Sequence, residues 1–377
     1  MTPLPAPARA EIVVDLGAIR HNVRRLRELT GVAMMTVVKA DGYGHGMVEA
    51  ARAAREAGAD WLGVATIDEA LALRAAGDDG RVLCWLTVPG EDHAAAIAAD
   101  VDVTAYTLAE LDEIRAATAV AGRPARLQLK VDTGLSRGGA TLETWPDVVA
   151  AARAGERAGA WTVTGVWSHF AASDEPGDPA NDAQEAAFRD ALAVAERAGL
   201  RPETRHLANS AAAILRPSSR FDLVRVGLAS YGLDPAPGHT PDLGLRPAMT
   251  ARATLAQSKP LAAGASVSYG HTWTADTPTT VGLVPIGYGD GVPRHASNTA
   301  QVQVDGKRRA IRGRVCMDQF VVDLDGDLPA PGEDVVLFGD GRHGEPTAQD
   351  WAEAADTISY EIVTRIGGRM TRRYVES

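Results

Sequence analysis

The sequence has 377 residues, 45% of them hydrophobic and 23% charged, with a formal net charge of −11. This length suits two domains or one barrel-sized domain with an extension, and the acidic balance disfavours nucleic acid or an anionic membrane as a partner, because phosphates would be repelled. Only two cysteines occur, no stretch approaches the roughly 18 continuous apolar residues of a membrane helix, and residues 1–10 lack an apolar signal core, so a cytoplasmic protein without a disulfide framework is expected.

Residues 1–10 read as a flexible tail, and residues 11–14 as a short β run able to join a later sheet. Apolar runs then follow at 34–38, 61–65, 82–88, 101–105, 127–131, 162–167, 204–207 and 223–226. They alternate with Ala-, Glu- and Arg-rich segments of helical spacing, several entered through an acidic first turn such as Thr66-Ile67-Asp68-Glu69. Eight strands alternating with helices predict an α/β fold, a closed parallel (β/α)8 barrel of the TIM type over residues 11–240, with an open doubly wound sheet as the competing reading. The proline-rich stretch 234–247 interrupts the alternation. Beyond it, turn-separated β runs at 250–257, 280–285, 300–304, 310–313, 321–324 and 334–338 predict a mostly β domain over 241–377, with Asp305-Gly306 as a hairpin turn.

In a β/α barrel, reacting groups sit at the C-terminal ends of strands and in the loops that follow. Lys39 ends the first barrel run. Lys130 and Asp132 end the fifth, with Arg137 in the next loop. His169 ends the sixth, Asn209 and Ser210 follow the seventh, and Arg225 lies in the eighth. The set converges on one mouth. Each member also has a plainer reading: a solvated lysine, a satisfied core histidine, an arginine in a structural ion pair, and glycines near Tyr43 serving turn geometry.

Only four of the 38 basic residues are lysines, so amine chemistry has few candidates. Lys307 follows the Asp305-Gly306 turn and should be solvated, and Lys259 precedes Pro260 in a loop-like stretch. Lys130 is credible but lacks a glycine-rich turn. Lys39, in Val37-Val38-Lys39-Ala40-Asp41-Gly42-Tyr43-Gly44-His45-Gly46, exits a strand beside a polar turn and is the best Schiff-base former for a pyridoxal cofactor.

That segment, with Leu129-Lys130-Val131-Asp132-Thr133-Gly134-Leu135-Ser136-Arg137, resembles the bacterial alanine racemases. Further matches are Ser168-His169-Phe170-Ala171, His206-Leu207-Ala208-Asn209-Ser210-Ala211 and Val224-Arg225-Val226-Gly227-Leu228. In the second domain they include Val267-Ser268-Tyr269-Gly270, Pro285-Ile286-Gly287-Tyr288-Gly289-Asp290-Gly291, Arg314-Val315-Cys316-Met317-Asp318-Gln319 and Ser359-Tyr360-Glu361. So many matches in order make the resemblance specific over nearly the whole chain.

The resemblance implies a barrel carrying pyridoxal 5'-phosphate, a C-terminal β domain, no metal, and a homodimer that interconverts L- and D-alanine and supplies D-alanine for peptidoglycan. Lys39 would hold the cofactor and, once released, serve one face of the substrate. Tyr269, contributed by the other subunit, would serve the opposite face. A phenol, with an ordinary pKa of about 10, needs cationic or hydrogen-bonding help to act as a base near neutrality. His169 and Arg225 are the matching residues around the ring, with Arg225 facing the pyridine nitrogen and donating without fully protonating it. The phosphate would meet Tyr43, Ser210, Gly227, Leu228 and Tyr360, with Asn209 adjoining. Arg137 and the Met317 main chain would hold the substrate carboxylate, and Lys130 matches a lysine often carbamylated in the family. Tyr288 and Tyr360 would narrow the entrance and favour a small side chain. Leu228 stands where isoleucine is usual, and residues 364–370 match less well. Competing readings are a racemase for another small amino acid such as serine, a pyridoxal-phosphate decarboxylase, which would lack use for Tyr269 as a second base, and a non-catalytic cofactor carrier.

Overall fold

A computed structural model describes residues 9–377. Of the expected tail, residues 1–8 lie outside the described residues. Ala10 is not tail but opens the first strand, β1 (Ala10–Asp15), whose apolar side chains Ile12 and Val14 are buried. The described chain divides into two compact units. One is Ile19–Gly42 with Gly46–Leu245; the other is the segment through Ala18 with Tyr43–His45 and Arg246–Ser377.

Among the described residues, the first unit holds eight strands: β2 (Ala33–Val37), β3 (Trp61–Val64), β4 (Arg81–Cys84), β5 (Asp102–Ala105), β6 (Ala125–Lys130), β7 (Trp161–Trp167), β8 (Thr204–His206) and β9 (Leu223–Val226). Paired neighbours are parallel, in the order β8-β7-β6-β5-β4-β3-β2-β9. Main-chain bonds from Asp222 N to Arg205 O (3.1 Å) and from Arg225 N to Ala208 O (3.0 Å) join the two ends and nearly close the ring. The barrel reading therefore prevails over the open sheet. Strands such as β3 and β5 are buried along their whole length, as parallel strands covered on both faces must be. The acidic first turns anticipated for the helices are capping boxes at Thr66/Glu69 and Thr107/Glu110.

At the N-terminal ends of these strands lies a buried ionic cluster. The fully buried Asp102 carboxylate accepts from Arg81 Nη2 (2.8 Å), Arg126 Nε (2.7 Å) and Thr164 Oγ1 (2.7 Å). Charges in this position tie β4, β5, β6 and β7 together and leave the opposite end for chemistry.

The second unit contains a nine-stranded sheet made of β1 with β10 (Met249–Thr254), β11 (Gln257–Leu261), β12 (Thr279–Val284), β13 (Gln301–Val304), β14 (Lys307–Arg312), β15 (Phe320–Asp323), β16 (Asp334–Phe338) and β17 (Thr371–Val375). Its order is β11-β12-β15-β14-β13-β16-β10-β1-β17. β1 runs antiparallel to β10 and parallel to β17, so both chain ends meet in one sheet. Asp305 (φ 49°) and Gly306 (φ 69°) make the expected two-residue turn between β13 and β14. Two sequence readings change. Lys259-Pro260 is not a loop but part of β11; that strand is a sheet edge, where a proline's missing N–H is tolerated. β17, unanticipated, is Arg-rich and occupies the other edge.

Candidate active site

Lys39 leaves the C-terminal end of β2 and opens a left-handed turn in which Ala40 (φ 52°), Asp41 (53°), Gly42 (63°) and Tyr43 (54°) all have positive φ. Consecutive L-residues in this region cost about 1–2 kcal/mol each, so strain is concentrated beside the lysine. The turn is held by Gly42 N to Val38 O (2.8 Å), Ala40 N to Glu69 Oε1 (2.7 Å) and Met47 N to Asp41 Oδ1 (2.9 Å). Lys39 Nζ lies 5.9 Å from the centroid of Trp85. Burial depresses its pKa below the usual lysine range, Arg137 adds to the effect, and the Glu69 carboxylate opposes it.

Lys130, at the end of β6, is buried with Nζ 4.8 Å from the Trp167 ring and 5.2 Å from that of Tyr106. Burial and the positive charges of Arg225 and Arg137 bring its pKa down to about 8, against an opposing contribution from Asp132. Asp132 Oδ1 meanwhile accepts from Gly134 N (2.9 Å) and Ser136 N (3.1 Å), shaping the loop that carries exposed Arg137.

Arg225 in β9 is buried, and its pKa is lowered by that burial to about 9, so it remains a cation at neutral pH. Its donors reach lone pairs rather than carboxylates: Nη1 meets His206 Nδ1 (2.9 Å) and His206 O (3.1 Å), and Nη2 meets Ser168 O (2.7 Å), Leu207 O (3.0 Å) and His169 Nδ1 (3.2 Å). His169 is held neutral by burial and by the Arg225 charge. A guanidinium only donates, so His169 accepts at Nδ1 and carries its proton on Nε2, free to donate.

Asn209 caps the helix Ser210–Leu215 by accepting from Ala212 N (3.1 Å), and Ser173 Oγ donates to the same oxygen (2.9 Å). Ser210 Oγ accepts from Gly227 N at 3.0 Å, and Leu228 begins the next turn. Ser210 and Gly227, two of the expected phosphate donors, are thus in direct contact within the barrel unit.

The other expected residues belong to the β unit. Tyr43 and Tyr360 have ring centroids 6.1 Å apart; burial and the neighbouring Tyr360 raise the Tyr43 pKa far above the phenol range. Tyr269, Tyr288 and Met317 are large, exposed side chains, 71%, 43% and 54% accessible. Their loops are bonded together: Tyr288 N to Cys316 O (3.0 Å), Gly289 N to Met317 O (2.9 Å), and Ser268 Oγ to Arg314 O (2.6 Å). Gly287 permits this approach, since a Cβ there would lie 2.1 Å from Cys316 O. His271, two residues after Tyr269, is exposed with φ 48°.

Sequence reasoning overlooked two groups. Arg369 grips buried Asp290 through Nε and Nη2 (both 2.8 Å) and also reaches Asp318 (2.6 Å), joining the Tyr288 and Met317 loops. Asp290 stood inside a quoted motif, and a buried carboxylate there demanded a cation. His206 was also within a quoted motif, but nothing local showed that its ring would face Arg225.

The chain is similar to known proteins over nearly its whole length. Residues 14–235 match the alanine racemase N-terminal domain model and residues 248–374 the alanine racemase C-terminal domain model. The alanine racemase of Salinispora arenicola is 56% identical over 97% of this chain and 98% of its own length, and that of Streptomyces coelicolor 55% over 98% and 97%. Alanine racemase from a D-cycloserine-producing Streptomyces lavendulae superposes with a TM-score of 0.97 at 54% identity, covering 99% of this chain and 98% of that one. Alanine racemase from Bacillus anthracis with bound L-Ala-P gives 0.90 at 33% identity, over 99% and 97%. The chain belongs to the alanine racemase family.

Proposed function

We propose that this protein interconverts L- and D-alanine with pyridoxal 5'-phosphate, working in the cytoplasm as a homodimer and supplying D-alanine for peptidoglycan. The barrel unit, Ile19–Gly42 with Gly46–Leu245, carries the cofactor, and the β unit, which includes β1, supplies the second base. The observation that carries this reading is Lys39, a half-buried amine with depressed pKa held by a left-handed turn at the C-terminal end of a barrel strand. The rest of the mouth fits the same group. Arg225 is a buried cation which, among the described residues, meets carbonyls and imidazoles but no carboxylate, leaving its charge suited to an electron-rich ring nitrogen.

When bound, pyridoxal phosphate supplies an electron sink that acidifies the substrate's α-hydrogen. Lys39 would hold it, with Ser210, Gly227, Leu228, Tyr43 and Tyr360 about the phosphate, Asn209 behind them, and Arg225 and His169 at the ring. Arg137 and the Met317 N–H orient the substrate carboxylate. Once the substrate's amino group had displaced it from the cofactor, the Lys39 amine would take or return the proton on one face. Tyr269 does so on the other, aided by His169 Nε2–H within the Arg225 network. Tyr288 and Tyr360 limit the side chain to about methyl size, which favours alanine over serine. Lys130, with a pKa of about 8, is basic enough to add to carbon dioxide as a free amine, losing a proton and becoming a carbamate that pairs with Arg137.

The homodimer reading rests on the exposure of Tyr269 and Met317 on bonded loops of the β unit, a state that suits completion of a site on a second chain. Borohydride reduction followed by peptide mapping tests the cofactor assignment: a pyridoxyl group should appear on Lys39, and a label confined to another lysine rejects it.

A further inference from the structure

Gln128 lies in the interior of β6, fully buried, with Oε1 2.7 Å from His206 Nε2. On the other side of the ring, His206 Nδ1 is 2.9 Å from Arg225 Nη1. Arginine cannot accept, so Nδ1 must, and His206, kept neutral by complete burial beside the Arg225 charge, carries its one proton on Nε2. That proton requires an acceptor, and the Gln128 oxygen is the one present. The amide serves this role at a cost, since Gln128 Nε2 is buried with no hydrogen-bond partner among the described residues.

The strand geometry supports the same arrangement. The β6–β7 register shifts at Leu127/Gln128, so that Gln128 pairs with Gly165. A Cβ on Gly165 would lie 2.6 Å from Gln128 Oε1, so the glycine supplies the space the amide occupies. Trp167 stacks on His206 at 5.7 Å with an interplanar angle of 5°, fixing the ring plane.

We infer that Gln128, in the space left by Gly165, is a positioning residue: it locks the His206 tautomer and thereby the orientation in which Arg225 meets the cofactor ring. This rests on the placement of Arg225 proposed above. The test is long-range proton–nitrogen NMR on holoenzyme labelled with ¹⁵N-histidine, with His206 assigned by loss of its signals in H206Q. Wild-type His206 should show one neutral form protonated at Nε2. Q128M, which keeps the volume but not the oxygen, should show mixed tautomers and a kcat about tenfold lower, the scale of one hydrogen bond between neutral groups, with KM for alanine little changed. G165A, which displaces the amide without removing it, should reproduce both effects. A wild-type His206 protonated at Nδ1, or an unchanged Nε2–H signature in folded Q128M, overturns the inference. Because this signature does not involve the cofactor, its failure is distinct from a failure of the Arg225 assignment, which the cofactor absorbance of R225K would reveal.

Discussion

The barrel and the β unit hold their candidate site residues in opposite states. In the barrel, Lys130 and Arg225 are buried, Lys39 and His169 are partly buried, and burial is the first cause of every pKa displacement among them. In the β unit, Tyr269 and Met317 stand exposed, the Tyr269 loop tied by Ser268 Oγ to Arg314 O and the Met317 loop by Arg369 to Asp318. Desolvation thus prepares an amine and a cation within one unit, whereas the other presents groups at the end of a rigid support. On the reading proposed above, the contrast means that the two bases are built by different means: burial lowers the Lys39 pKa, whereas Tyr269 is left exposed.

Removing the tuned base should have the largest effect. Lys39→Ala should lower racemisation by about 10³-fold or more and abolish the lysine-bound cofactor signal, measured by polarimetry and absorbance. Tyr269→Phe should lower racemisation by about 10²–10³-fold while leaving cofactor attachment intact. Co-expression of these two inactive variants sharpens the contrast. If Tyr269 serves the partner's Lys39, a mixed dimer contains one intact site, and about a quarter of wild-type activity should return in a random mixture. No recovery would place both bases on one chain.

A third variant tests whether the barrel's charge at its other end is structural. Asp102→Ala leaves Arg81 and Arg126 without their buried carboxylate and should cost about 3 kcal/mol or more of stability in chemical denaturation. It should leave the KM for alanine unchanged. The smallest effect concerns Lys130. Its pKa of about 8 means that the ammonium form prevails below that pH and the free amine above it. As pH rises through about 8 in bicarbonate buffer, carbamate should accumulate and KM for alanine should fall severalfold. Rigorously degassed buffer should suppress that fall.

Much of this was legible in the residues. The barrel strands announced themselves as short apolar runs, and the placement of Lys39 and His169 at their ends and of Arg225 within the last one followed from that map. The Asp305-Gly306 hairpin was equally plain, because its turn requires two positive φ values that those residues accept. The left-handed turn at Ala40–Tyr43 was not: alanine and tyrosine seldom adopt that conformation, and only the surrounding bonds impose it. β11 and β17 were hidden by a proline and by arginines, which edge strands tolerate. The Arg369 clamp and the Gln128–His206 pair join residues 79 and 78 positions apart, so no local pattern could expose them.

The most direct test of the two-base account is proton exchange at the α-carbon. Purified holoenzyme in D₂O, given L-alanine or D-alanine separately and followed by proton NMR with chiral analysis, should replace the α-hydrogen of both enantiomers with deuterium while driving each toward the same racemic mixture. Exchange without interconversion, release of carbon dioxide, or no exchange at all would contradict it.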